Sequence, residues 1–149
     1  MCRAGGRRCP SSLSPKKGGT RPSRAGMAKY PKDVRDTISA VNAGAPEEVI
    51  VARTRTVLMY PDFVVKVPTT EEGLLGNSME FATYNDPDGI PVAPCRWVEV
   101  NGDVTALVMD RVAPVRGAFS DKSMPWWVSM VDCGQVGHLS DGTLVAYDL

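Results

Sequence analysis

The sequence predicts an α+β fold: a small antiparallel sheet with one packed helix, then a reduced C-terminal part that ends in a two-stranded hairpin. Three observations carry this reading. Apolar and β-branched residues alternate between Val49 and Val67, and again between Trp97 and Val108, which is the period-2 signature of half-buried strands. Residues 70–84 between them have helical spacing. The last stretch, from Gln135 on, reads as two short strands about an Asp141-Gly142 turn, a pair that tolerates positive φ.

Taken in chain order, residues 1–26 hold seven basic residues (Arg3, Arg7, Arg8, Lys16, Lys17, Arg21, Arg24) and no acid. This tail is rich in Gly, Pro, Ser and Arg, with too little apolar surface to fold, and is expected to be disordered. It has no apolar core of a secretory signal. Ordinary globular composition begins at Met27-Ala-Lys-Tyr-Pro, so Met27 is expected to be the functional start and 27–149 the domain. Pro31–Asn42 is an amphipathic helix, with Val34, Ile38 and Val41 on one face and Asn42-Ala-Gly44 ending it. Glu47–Leu58 suggests a strand and a turn, and Tyr60-Pro-Asp62 turns the chain into a strand over Phe63–Val67. Thr69-Thr70-Glu-Glu offers a hydroxyl cap and first-turn acids for the next helix, expected to reach Tyr84. Leu75, Met79 and Ala82 would be its buried face, with Glu80 beside them.

Asn85–Gly89 is a loop. Trp97–Val100, the Asn101-Gly102 turn and Val104–Val108 form a hairpin. Pro114–Pro125 is a connection, and Trp126–Met130 is a short helix. Trp126 and Trp127 would either stack on a ligand or cover the base of the sheet.

At 149 residues and 43% apolar, the chain suits one modest domain without a transmembrane-length run. Formal charge is zero but uneven. Outside the tail, 17 − 7 = 10 basic residues face 17 acidic ones. A body this acidic argues against nucleic-acid binding by the folded part, whereas the tail could bind nucleic acid or an anionic membrane on charge alone. The four cysteines (Cys2, Cys9, Cys95, Cys133) form no CxxC pair, and the single His138 cannot complete a zinc set. Reduced thiols and a cytoplasmic setting are expected.

The C-terminal hairpin carries the first chemical signal. A tight turn at Asp141-Gly142 returns Asp148 to the end where Gln135 starts. An amide oxygen beside a carboxylate is a hard-oxygen site, suited to Mg²⁺ carrying phosphates.

Gln135 and Asp148, thirteen residues apart, resemble the metal-binding Asn and Asp of the protein-kinase-like fold. Phe63-Val-Val-Lys66-Val-Pro68 is similar to the kinase strand whose Lys holds the nucleotide phosphates. Glu80, fourteen residues on, matches the helix Glu that pairs with that Lys. Ala106–Val112, with Met109, resembles the strand and hinge that hold adenine. The order of the four motifs is the family's, over about the final two-thirds of the chain. The resemblance implies ATP and Mg²⁺ as cofactors, Lys66 on the phosphates, and Asp148 and Gln135 on the ion.

The sequence also departs from the family. Val51-Ala-Arg-Thr-Arg-Thr-Val57 replaces the phosphate-covering glycine loop, leaving Arg53 and Arg55 as phosphate ligands. The residue five before Gln135, where the family has its catalytic Asp, is Met130; Asp132 is the only carboxylate nearby. Either the loop is shortened and Asp132 serves, or the base is lost. The chain stops one residue past Asp148, which implies a truncated lower lobe or a fragment. The expected function is therefore a kinase-like nucleotide- and Mg²⁺-binding protein with weak phosphotransfer to a hydroxyl on a protein or small molecule. A catalytically inactive, pseudokinase-type interaction module is the alternative.

Overall fold

The structure, a computed structural model, describes residues 30–149, apart from the side chains of residues 103–105. The basic tail and the expected start at Met27 lie outside the described residues. Helix α1 (Lys32–Val41) is followed by strands β1 (Glu48–Val51), β2 (Arg55–Met59) and β3 (Phe63–Pro68), then helix α2 (Glu71–Tyr84), then β4 (Cys95–Val100) and β5 (Asp103–Asp110). Together the strands form one antiparallel sheet in the order β1-β2-β3-β5-β4. The segment expected as one strand and a turn is thus two strands, because Arg53 and Thr54 turn the chain before β2. A second sheet, β6-β7-β8, joins Ala113–Pro114 to the C-terminal hairpin of Val136–His138 and Leu144–Ala146.

Side-chain alternation on β3 assigns the two faces of the large sheet. Val65 and Val67 point to α1, where they pack with Val34, Ile38, Leu58 and Val108. Val64 and Lys66 point the other way, toward α2 and the C-terminal hairpin. The sheet therefore carries a helix on each face, not the single packed helix expected. Asn42, at φ 54°, ends α1 in the left-handed region as its sequence suggested. Asn101 and Gly102, at φ 52° and 87°, make the turn between β4 and β5.

Helix α2 starts where expected, with the Thr70 hydroxyl accepting from the Gly73 amide at 3.1 Å. Its buried face is the reverse of the expected one. Leu75 and Met79 are 60% and 55% exposed, and Ala82 is exposed too, whereas Gly73, Asn77 and Glu80 are buried. The reason is the backbone of the β1–β2 turn. A Cβ on Gly73 would collide with the Thr54 carbonyl oxygen, so only a glycine lets this helix approach β2. That approach turns Asn77 and Glu80 toward the sheet, where cations await them.

The C-terminal part is held on by backbone hydrogen bonds as well as packing. The Ala93 amide donates to the Ala146 carbonyl at 2.9 Å, and the Ala146 amide to the Pro91 carbonyl at 2.8 Å. Val145 joins the apolar cluster of Leu107, Met109 and Cys95 under the sheet. Short 3-10 turns over Ala118–Ser120, Trp126–Met130 and Asp132–Gly134 cover the other side of the hairpin. Trp127 packs there, but Trp126 is 77% exposed and covers nothing among the described residues. Cys95 is a buried free thiol. Cys133 is disulfide-bonded, which departs from the reduced state expected of all four cysteines. Among the described residues no helix is long and apolar enough to cross a membrane.

Candidate functional site

Lys66 is the centre of the site. It sits on β3 with its side chain 6% exposed, and an ammonium in that position needs partners. It has two: the Lys66 Nζ donates to Glu80 Oε2 at 2.9 Å and to the Tyr147 carbonyl oxygen. The pairing of Lys66 with Glu80 is the one that the spacing suggested. Tyr147 belongs to the last strand's end, so Lys66 ties the sheet, α2 and the C-terminal hairpin together.

Arg55, at the start of β2, forms the second half of the cluster. Its Nη1 donates to Glu80 Oε1 and to Asn77 Oδ1, both at 3.0 Å, and its Nη2 donates to Asp148 Oδ1 at 2.6 Å. Asn77 is wholly buried and donates its amide to the Lys66 carbonyl at 2.9 Å, so it braces both cations. Two cations thus face two carboxylates, and the buried charge balances. Burial opposes the charge on Arg55, but Glu80 and Asp148 outweigh it and raise its pKa further. Arg55 stays a guanidinium at every accessible pH.

A cleft of ≈ 1140 Å³ opens in front of this cluster. Val57, Val64, Lys66 and Met109 form its roof on the sheet; Gln135, His138, Tyr147 and Asp148 form its floor on the hairpin. Residues 110–114, which link β5 to the second sheet, close its back. The volume is large enough to admit a small-molecule ligand. Gly137 keeps the floor close to this back wall, since a Cβ there would lie 2.7 Å from the Ala113 carbonyl oxygen.

Of the residues expected to act, Lys66, Met109, Gln135 and Asp148 line one cleft, and Glu80 stands directly behind it. The structure does not bring the others to it. Arg53 is exposed and makes a bidentate pair with Glu72 at 2.8 and 3.1 Å, so it is occupied on the surface. Arg55 is held behind the cleft by Glu80 and Asp148 and does not line it. Asp132, expected as the base, is exposed on the 3-10 turn before Gln135 and does not line the cleft. His138, which by itself cannot complete a zinc set, does line it.

Asn77 was missed by sequence reasoning. The signal was present: Gly73, Asn77 and Glu80 at helical spacing mark a small and polar stripe, which buries better against a charged strand than the bulky Leu75–Met79 stripe does.

The donor set bears on metal binding. Among the described residues no group of three His, Cys, Asp or Glu side chains is gathered that could hold a metal ion. Of the cleft's carboxylates, Asp148 is tied to the charged cluster through Arg55, whereas Asp62, Asp110 and Asp141 stand at strand ends and turns of its wall. Gln135 is the neighbour of Asp148 on the floor, its carbonyl accepting from the Tyr147 amide at 3.1 Å. One carboxylate and one amide do not make an all-protein ion site. They could serve only an ion that takes its other ligands from a bound phosphate group and water. Comparison with protein-family models, with curated proteins and with solved structures finds no match to this chain.

Proposed function

We propose that this chain is a kinase-like protein that binds a purine nucleotide, ATP, together with Mg²⁺ in the cleft between the large sheet and the C-terminal hairpin. The observation that carries the proposal is Lys66, buried between Glu80 and the Tyr147 carbonyl at the wall of that cleft. In this reading Lys66 places its remaining N–H on the phosphates, and Glu80 fixes the direction of the ammonium. Met109 and the residues after it form the apolar slot for the base. Asp148 and Gln135 would hold the ion, which supplies neutralisation of phosphate charge. The sheet and hairpin walls exclude water from one side of the ligand.

If a γ-phosphoryl group is transferred to a hydroxyl, the rate is low. No glycine loop covers the phosphates, and Asp132 stands away from the cleft. This last placement favours a second reading, a catalytically inactive module of the pseudokinase type that engages a protein partner. The acceptor in the first reading is a protein or a small molecule; the setting in both is cytoplasmic, without membrane contact or nucleic-acid binding by the folded part.

The test is a thermal-shift titration with ATP and Mg²⁺. A ligand that binds only the native state stabilises it by about 2.7 kcal/mol at a hundred times its dissociation constant. Wild type should shift, Asp148→Asn should lose the Mg²⁺-dependent part, and Gln135→Ala should lose less. Absence of a wild-type shift at millimolar Mg·ATP would reject nucleotide binding and leave the interaction module.

A further inference from the structure

Asp148 has two jobs that compete. It is the carboxylate beside Gln135 on the floor of the cleft, and it is already paired with Arg55 at 2.6 Å. The Arg55 guanidinium is not a wandering surface group. Its side chain is 13% exposed and is fixed from behind by Glu80 and by the buried Asn77. Gly73 sets the close approach of α2 that puts Asn77 and Glu80 there.

We infer that Arg55 is a built-in cation that occupies Asp148 and must release it before a divalent ion can bind. This rests on the reading of Asp148 as an ion ligand, and it makes Arg55 the residue that sets the cation preference of the site. Charge balance gives the reason. The cluster is neutral as it stands, with two cations on two carboxylates, so a bare divalent ion adds uncompensated positive charge to a partly buried place. A polyphosphate changes the balance. It brings negative charge to the cleft, and it offers a freed Arg55 another anion at which its fork geometry is equally good. Divalent ion and polyphosphate should therefore bind with mutual enhancement, and by linkage the enhancement is the same in either order of addition.

Release would also loosen the hairpin. Arg55 ties Asp148 to the sheet as Lys66 ties the Tyr147 carbonyl. The ion pair thus couples the occupancy of the site to the position of its floor.

The test uses Mn²⁺ alone, without nucleotide, counted by electron paramagnetic resonance. Wild type should bind it weakly. Arg55→Gln removes the competing charge and keeps a hydrogen-bonding group near Asn77, and it should bind Mn²⁺ at least ~10-fold more tightly, the gain expected when an opposing unit charge leaves a partly buried site. The gain should vanish in the double variant Arg55→Gln/Asp148→Asn. A folded Arg55→Gln protein with wild-type Mn²⁺ affinity would overturn the inference, as would a gain that survives loss of Asp148. If Arg55→Gln does not fold, Arg55→Lys serves, because one ammonium cannot hold Asn77, Glu80 and Asp148 together. It should gain a smaller but measurable factor, and no gain would equally overturn the inference. Titration of wild type with ADP and Mg²⁺ reads the nucleotide proposal separately. Failure there, with the Mn²⁺ gain intact, would remove the nucleotide and leave Arg55 as the gate.

Discussion

Glu80 should cost far more to remove than Lys66, although the two form one ion pair. The asymmetry follows from the partners that remain. Glu80 is 1% exposed in its side chain and accepts from both Lys66 and Arg55, at 2.9 and 3.0 Å. Glu80→Ala leaves two largely buried cations with Asp148 and one carbonyl between them. Stranding a buried charge costs roughly 3–5 kcal/mol. Lys66→Met leaves one cation for two carboxylates, but Arg55 still contacts both and Asp148 is 34% exposed, so water takes up the excess charge; the lost hydrogen bonds, one of them to the Tyr147 carbonyl, cost about 1–3 kcal/mol. Urea unfolding followed by tryptophan fluorescence gives both values, provided that the slope m is unchanged. Glu80→Ala should lose about 2 kcal/mol more than Lys66→Met, the difference between the midpoints of the two ranges. The double variant should be less destabilised than the sum of the two, because the groups share partners. Equal costs, or a larger cost for Lys66→Met, would mean that Arg55 does not compensate Glu80 and that the four-charge cluster is not a unit.

Gly73→Ala should destabilise by about 1–3 kcal/mol or prevent folding, since its Cβ would collide with the Thr54 carbonyl oxygen; a neutral effect in urea unfolding would show that α2 does not approach the β1–β2 turn. Burial, with the Glu80 carboxylate adding to it, pushes the Cys95 thiol up to about 11 from 9.0. Its neutral form is favoured in the fold, so its contribution to stability is complete below about pH 9 and is lost as pH rises toward 11. Stability of Cys95→Ala should fall less steeply than wild type over that window, and iodoacetamide should label native Cys95 slowly at about pH 8, below the raised thiol pKa; rapid labelling would contradict the burial. Asp132→Asn should leave stability, nucleotide binding and any phosphotransfer unchanged, as the residue is exposed and off the cleft; a loss of turnover of about 10²-fold, the usual scale for a general base, would restore it as the base.

How much of this was legible in the sequence depended on the kind of signal. Strands declared themselves where alternation ran without interruption, as in Phe63–Val67, and where turn chemistry was strong, as at Asn101-Gly102 and Asp141-Gly142. The pairing of Lys66 with Glu80 was readable through the resemblance of their strand and helix to those of the kinase-like fold, in which such a Lys and Glu pair. What failed was the burial of α2. Hydrophobicity pointed to Leu75 and Met79, but contact is decided by which face lets the backbone close in, and Gly73 and Gly76, both against Arg55, mark that face. The role of Arg55 failed for a related reason. In sequence it is a strand arginine next to a missing glycine loop; only the fold places Asp148, 93 residues away, against its guanidinium. Asp132 was chosen by elimination within the chain, and elimination has no access to direction: a 3-10 turn at Asp132–Gly134 holds it off the cleft.

The most direct measurement is a two-dimensional amide NMR titration of the wild-type protein with Mg·ADP. Shifts should be saturable and confined to the cleft, with the largest at Lys66, Met109–Val112, Gln135 and Tyr147–Asp148, and the exposed face of α2 should stay still. A spectrum without shifts at millimolar ligand, or shifts gathered on Leu75 and Met79 and absent from the cleft, would contradict the account.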